Sequence, residues 1–203
     1  KVAPGNLEEA RALMRETFAR HLAFQPELKR KANPLLPLTA FERAEAHGLE
    51  RRLVSYLDRE AALLPGFSPA FFELDFGTRE PFAYGGFELR GSVDRIDVNG
   101  RGQAVVIDYK GSLSPDYALS SASPAATAGG AMLPHKVQAL VYAQAARRLL
   151  GLEVVGALYV SYGRDGRVAG AFDRTALGAA DVPGIDAGAC GVPGPAAEAV
   201  GAG

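Results

Sequence analysis

The chain has 203 residues, a mass of 21.3 kDa and a formal net charge of −1, with 48% of its residues apolar. That size suits one domain with a substantial core, and no apolar run approaches the 18 or more residues of a membrane span. The lone Cys190 excludes an internal disulfide framework, no signal-peptide pattern opens the chain, and the expectation is a cytoplasmic protein without a membrane partner.

Residues 6–24 read as a helix, with Asn6 as N-cap, Glu9 three positions on, and Leu7, Ala10, Leu13, Met14 and Phe18 at helical spacing. Prolines at 26, 34 and 37 mark a loop. Thr39 and Glu42 form a capping box for a second helix, expected to run to about Leu64 and to end at Pro65-Gly66. Strands follow at Phe71–Phe76, Phe87–Asp97 and Ala104–Lys110, with Phe72, Leu74 and Phe76 on one face of the first and Glu73 and Asp75 on the other. The Ser-, Ala- and Gly-rich stretch 112–134 is long for a compact domain, and the expectation there is a mobile flap. Residues 135–150 read as a helix stopped by Gly151, Glu153–Tyr162 as a strand, and Asp165-Gly166 as a hairpin turn into Arg167–Phe172. The expected domain is 1–177, and the Gly/Ala/Pro-rich 178–203 is expected to be a tail or linker.

The chemistry concentrates in Gly91-Ser92-Val93-Asp94-Arg95-Ile96-Asp97 and Val105-Val106-Ile107-Asp108-Tyr109-Lys110. A hairpin centred on Arg101 sets residue i opposite 202 − i, so Asp94 faces Asp108, and Lys110 projects on the same face. Two adjacent carboxylates repel, and a divalent cation between them removes the cost. Asp97 and Tyr109 have the other parity, which makes Asp97 structural, either pairing Arg95 or capping the turn, and Tyr109 a core ring. Glu73 on the preceding strand is either a further acidic residue that reaches a metal there or an exposed strand glutamate. Charge is uneven: residues 1–59 hold eleven Lys and Arg against eight Asp and Glu, the remainder eleven against fifteen. Arg11, Arg15, Lys29, Arg30, Lys31, Arg51 and Arg52 form either a phosphate track or solvated helix faces. No phosphate-loop pattern occurs, so the chain carries no nucleotide-driven motor of its own.

The two strand motifs, followed by Gln138-Ala-Leu-Val-Tyr142, resemble the PD-(D/E)xK nuclease superfamily, and within it the RecB/AddB-type domain of bacterial helicase–nucleases, over roughly residues 40–175. The resemblance implies a restriction-endonuclease-like α/β fold: a central mixed sheet of four to five strands flanked by α-helices. It implies a Mg²⁺- or Mn²⁺-dependent DNA exonuclease of repair or recombination, working with a helicase subunit or domain. Asp94 and Asp108 would be metal ligands with the Tyr109 carbonyl as a third, Lys110 the catalytic lysine, and Gln138 and Tyr142 DNA-binding or supporting residues. Two features depart from the pattern. The family's upstream histidine ligand has no counterpart in context, since neither His21 nor His47 lies in a Gly-x-x-His-like segment, and Lys1 is no initiator methionine. One cysteine cannot hold an iron–sulfur cluster, so none is expected. The alternatives left open are a fragment whose histidine precedes residue 1 and a catalytically inactive module that binds DNA or braces a helicase.

Overall fold

A computed structural model describes residues 1–24, 39–84, 86–118 and 136–192 of the chain. By internal contacts the chain divides into two compact units, Lys1–Ala62 and one that begins at Leu63, where the sequence suggested a single domain over 1–177.

The first unit is helical. A 3₁₀ turn at Pro4–Asn6 leads into α1 (Leu7–Phe24). Asn6 does not cap α1: its side-chain oxygen accepts from the Ala3 amide at 2.8 Å, and so belongs to the turn that precedes the helix. In α2 (Ala40–Glu60) the capping box forms as expected, with the Glu42 amide donating to Thr39 Oγ1 and the Thr39 amide to Glu42 Oε2. α2 stops four residues short of the expected Leu64, which takes a left-handed conformation (φ 50) ahead of Pro65. Arg11 meets the carboxylates of Glu8 and Asp58, so its charge is spent within the unit. Lys29, Arg30 and Lys31 lie outside the described residues.

The second unit is built on one mixed sheet in the order β1-β4-β5-β6-β7-β8. Its strands are β1 (Phe67–Phe76), β4 (Gly91–Asn99), β5 (Gln103–Lys110), β6 (Glu153–Ser161), β7 (Val168–Asp173) and the two-residue β8 (Gly191–Val192). The short β2 (Phe82–Tyr84) and β3 (Phe87–Leu89) pair as a separate ribbon, so the expected strand 87–97 is interrupted at Arg90. β1 takes the sheet edge, where Pro69 costs no ladder hydrogen bond to a further strand, and a bulge falls beside it. The expected alternation in β1 breaks at Glu73, which has φ 47, and Phe72 is 64% exposed instead of sharing a face with Leu74 and Phe76.

β4 and β5 form an antiparallel hairpin whose pairs are Arg95↔Ile107, Ile96↔Val106, Asp97↔Val105 and Val98↔Ala104, the register centred on Arg101. Asn99 makes the turn: its side-chain oxygen accepts from the Arg101 and Gln103 amides, and Gly102 (φ 78) supplies the left-handed residue. β5 and β6 are parallel, joined through α3 (Gln138–Leu150), which begins three residues after the expected 135 and ends at Gly151 (φ 66). α3 packs on β5 and β6, and Val105, Val106, Ile107, Val154, Val155, Ala157 and Leu158 are buried. Each such aliphatic contributes about 1.5–3 kcal/mol by leaving water.

The segment expected to be a tail is structured as far as residue 192. A 3₁₀ turn (Ala179–Asp181), a four-residue helical turn α4 (Ala187–Cys190) and β8 pack along β7, with Val182 and Cys190 buried. Small residues here reflect close backbone approach: the Val168 amide donates to the Gly184 carbonyl, and the Leu64 amide donates to the Asp181 carbonyl. Of the expected flap, 112–118 is described, with a 3₁₀ turn at Pro115–Tyr117, and 119–134 lies outside the described residues.

Candidate active site

The candidate site lies on the face of β4, β5 and β6 that α3 covers. Beyond the Arg95↔Ile107 pair the β4–β5 ladder gives way to a side chain, since the Tyr109 amide donates to Asp94 Oδ2 at 2.9 Å. That bond fixes the half-buried Asp94 carboxylate beside Asp108. Asp108 is 1% exposed, and its carboxyl pKa is raised by burial, with Asp94's charge adding and Lys110's charge opposing. Its Oδ2 lies 2.5 Å from Lys110 Nζ, an ion-pair contact whose angles make no hydrogen bond, and no other donor among the described residues reaches it. A buried carboxylate oxygen left without a hydrogen bond is costly, and natural proteins keep few of them.

Lys110 Nζ donates to Gln138 Oε1 at 3.0 Å, and Gln138 Nε2 donates to the Tyr142 hydroxyl at 2.5 Å. The i, i+4 spacing on α3 puts Gln138 above Tyr142 on one face, which makes this relay possible. The Tyr142 ring meets Phe76 edge-on at 5.8 Å, and Phe76 in turn lies against Gly91. A Cβ at Gly91 would stand 2.7 Å from Phe76 Cζ, which explains why the Gly-x-x-Asp run opens with glycine. Burial raises the Tyr142 pKa, aided by the charges of Asp108 and Asp94, so its hydroxyl stays neutral.

The opposite face of the same two strands is closed. Arg95 Nε and Nη2 donate to the two oxygens of Asp97 at 2.5 and 2.6 Å, and Arg95 Nη1 donates to the Tyr109 hydroxyl at 2.9 Å. Both Arg95 and Asp97 are buried.

Glu73, the further acidic residue singled out in the sequence, does not join the site. Glu73 reaches Ser92 Oγ at 3.4 Å, and among the described residues no three His, Cys, Asp or Glu side chains converge as metal ligands, which removes Glu73 as a third carboxylate. In the first unit, His47 lies 3.6 Å from Glu50. Sequence reasoning missed Tyr159. In the β5–β6 ladder it pairs with Asp108, its ring centroid is 6.0 Å from Lys110 Nζ, and its hydroxyl bonds the start of α3. Burial pushes its pKa up to about 12. Only the parallel register reveals it, because in the sequence it is one apolar residue in an apolar run.

Two carboxylates, one of them buried with an oxygen that among the described residues meets only the Lys110 ammonium, form with that lysine a donor set that suits a hard divalent cation facing a phosphate. The sequence matches the PD-(D/E)XK nuclease superfamily over residues 1–187. The chain belongs to that superfamily. No curated protein matches it. The mixed sheet with α3 on one face is the α/β restriction-endonuclease-like architecture of PD-(D/E)XK proteins. No helix among the described residues is long and apolar enough to cross a membrane.

Proposed function

We propose that the chain is a divalent-metal-dependent deoxyribonuclease of RecB/AddB type, an exonuclease that serves DNA repair or recombination beside a helicase subunit or domain. The observation that carries this reading is the buried Asp108 Oδ2, which has no hydrogen bond, sits beside Asp94 and is contacted by a lysine tied to Gln138 and Tyr142. Asp94, Asp108 and the Tyr109 carbonyl would hold Mg²⁺ or Mn²⁺, which when bound lowers the pKa of water and polarises a phosphoryl oxygen.

The protein's own groups account for the rest. The Tyr109 amide orients Asp94, and burial keeps bulk water from Asp108. Lys110, 25% exposed and steadied by Gln138, faces the scissile phosphate, where its charge orients the nucleophile and offsets the negative charge that develops. Such a site reads the DNA backbone instead of base edges, so binding falls with salt.

The test is cleavage of end-labelled single- and double-stranded DNA with Mn²⁺, Mg²⁺ or EDTA, using the wild-type chain beside Asp108→Ala and Lys110→Ala. Metal-dependent shortening from the ends that both substitutions abolish is the expected result. Internal cuts in a closed circle would replace the exonuclease reading with an endonuclease. One observation favours the second reading, an inactive DNA-binding or scaffolding module: the Lys110 ammonium already stands where a cation would meet Asp108 Oδ2. Retained salt-sensitive DNA binding with no cleavage under any metal would decide for it.

A further inference from the structure

Helix α3 begins without a cap of its own. Val137, at the N-cap position, offers no side-chain acceptor, and Ser, Thr, Asp or Asn would be usual there. Tyr159, reaching up from β6, fills that role. Its hydroxyl accepts from the Ala139 amide and donates to the Lys136 carbonyl, both at 2.9 Å. These two groups bracket Gln138, the residue whose side chain accepts from Lys110.

The Tyr159 ring is fixed in its turn. It is fully buried, it meets the Tyr117 ring edge-on at 4.8 Å, and it lies under the Lys110 ammonium. A phenylalanine would fill the same space, so the hydroxyl is not there for packing. A buried hydroxyl is unfavourable unless bonded, and here both bonds go to the one turn that carries Gln138.

We propose that Tyr159 is a positioning residue: its hydroxyl caps α3 from the sheet and so sets where Gln138 holds the Lys110 ammonium. The proposal rests on the nuclease reading of this site. It ties the geometry of the catalytic lysine to a strand with no motif of its own, and it makes Gln138 the intermediary.

The experiment is a double-mutant cycle on the full chain with Tyr159→Phe, Gln138→Ala and the two combined. Two readouts are taken: kcat and KM for end-labelled DNA with Mn²⁺, and the rate at which acetic anhydride acetylates Lys110 without metal or DNA, followed by peptide mass. Thermal melts place every assay below the transition of each variant. Tyr159→Phe should lower kcat about tenfold with KM within about twofold, and should speed Lys110 acetylation. The double variant should be no worse than Gln138→Ala alone in either readout. Tyr159→Phe indistinguishable from wild type in acetylation overturns the proposal. Additive losses overturn it too, because a merely structural tyrosine acts independently of Gln138. If the wild-type chain cleaves nothing under any metal, the nuclease reading fails, and the acetylation cycle still decides whether Tyr159 positions Lys110 through Gln138.

Discussion

β4 and β5 carry charge on both faces, and the two faces differ in whether those charges are finished. On one, Asp97 is 0% exposed and takes a two-pronged hydrogen bond from Arg95, whose remaining nitrogen finds Tyr109. On the other, Asp108 is equally buried but keeps one oxygen without a hydrogen bond, beside a second carboxylate and a lysine. The first arrangement satisfies itself and is structural. The second leaves a buried carboxylate of raised pKa with one oxygen held only by an ammonium, and a buried charge perturbed in that way is the physical mark of a functional-site candidate.

That contrast can be broken or sharpened. The largest effect on rate is expected from Lys110→Ala, which should reduce cleavage about 10³-fold, read from kcat. It should also cost about 1–3 kcal/mol in urea unfolding, because the buried Asp108 carboxylate loses its ammonium partner. Asp97→Ala should act on stability alone. Taking the Asp97 carboxylate away from the buried Arg95 guanidinium costs about 3–5 kcal/mol in urea unfolding, whereas activity per folded molecule should persist. If Asp97→Ala instead abolished cleavage at full stability, the closed face would not be merely structural.

Gly91→Ala drives a Cβ into the Phe76 ring that supports Tyr142, and should cost about 1–3 kcal/mol with a smaller loss of rate. The smallest change in stability is the most diagnostic. Asp108→Asn should stabilise the metal-free chain by about 1 kcal/mol while abolishing metal-dependent cleavage. Burial and Asp94 raise the Asp108 pKa in the folded state, so folding holds that proton to a higher pH than the unfolded chain does. Wild-type stability therefore falls as pH rises from the ordinary Asp value through the raised one. The advantage of Asp108→Asn should accordingly appear above that window and vanish in acid, where both side chains are neutral. Thermal melts of both proteins across pH 3 to 8 with EDTA, roughly spanning that range, check the sign. A destabilised Asp108→Asn at neutral pH would mean that Lys110 outweighs burial.

Much of the core was legible because it is local. The Asn99–Gly102 turn sets the hairpin register, and a period of two then dictates that Asp94 and Asp108 share a face while Asp97 turns away. Thr39 with Glu42 marked the start of α2 for the same reason, since a capping box is written within four residues. Reading failed where partners are distant in the chain. The glycines and alanines of 178–192 look like a tail in composition, yet a strand edge and a buried Val182 hold them in place. Phe72 was expected on one face with Leu74 and Phe76, but Glu73 between them takes a left-handed φ of 47 and Phe72 is exposed.

The sequence by itself determined which side chains stand together on the hairpin, because covalent geometry and turn chemistry settle a register within twenty residues. It also determined that Gln138 and Tyr142 share one helix face. Only the tertiary structure decided that this face is aimed at Lys110 and that Tyr159 caps α3. It also decided that Asp108 Oδ2 is buried without a hydrogen bond. Those outcomes depend on the parallel pairing of β5 with β6 and on the crossover between them, and packing alone selects where such long-range elements meet.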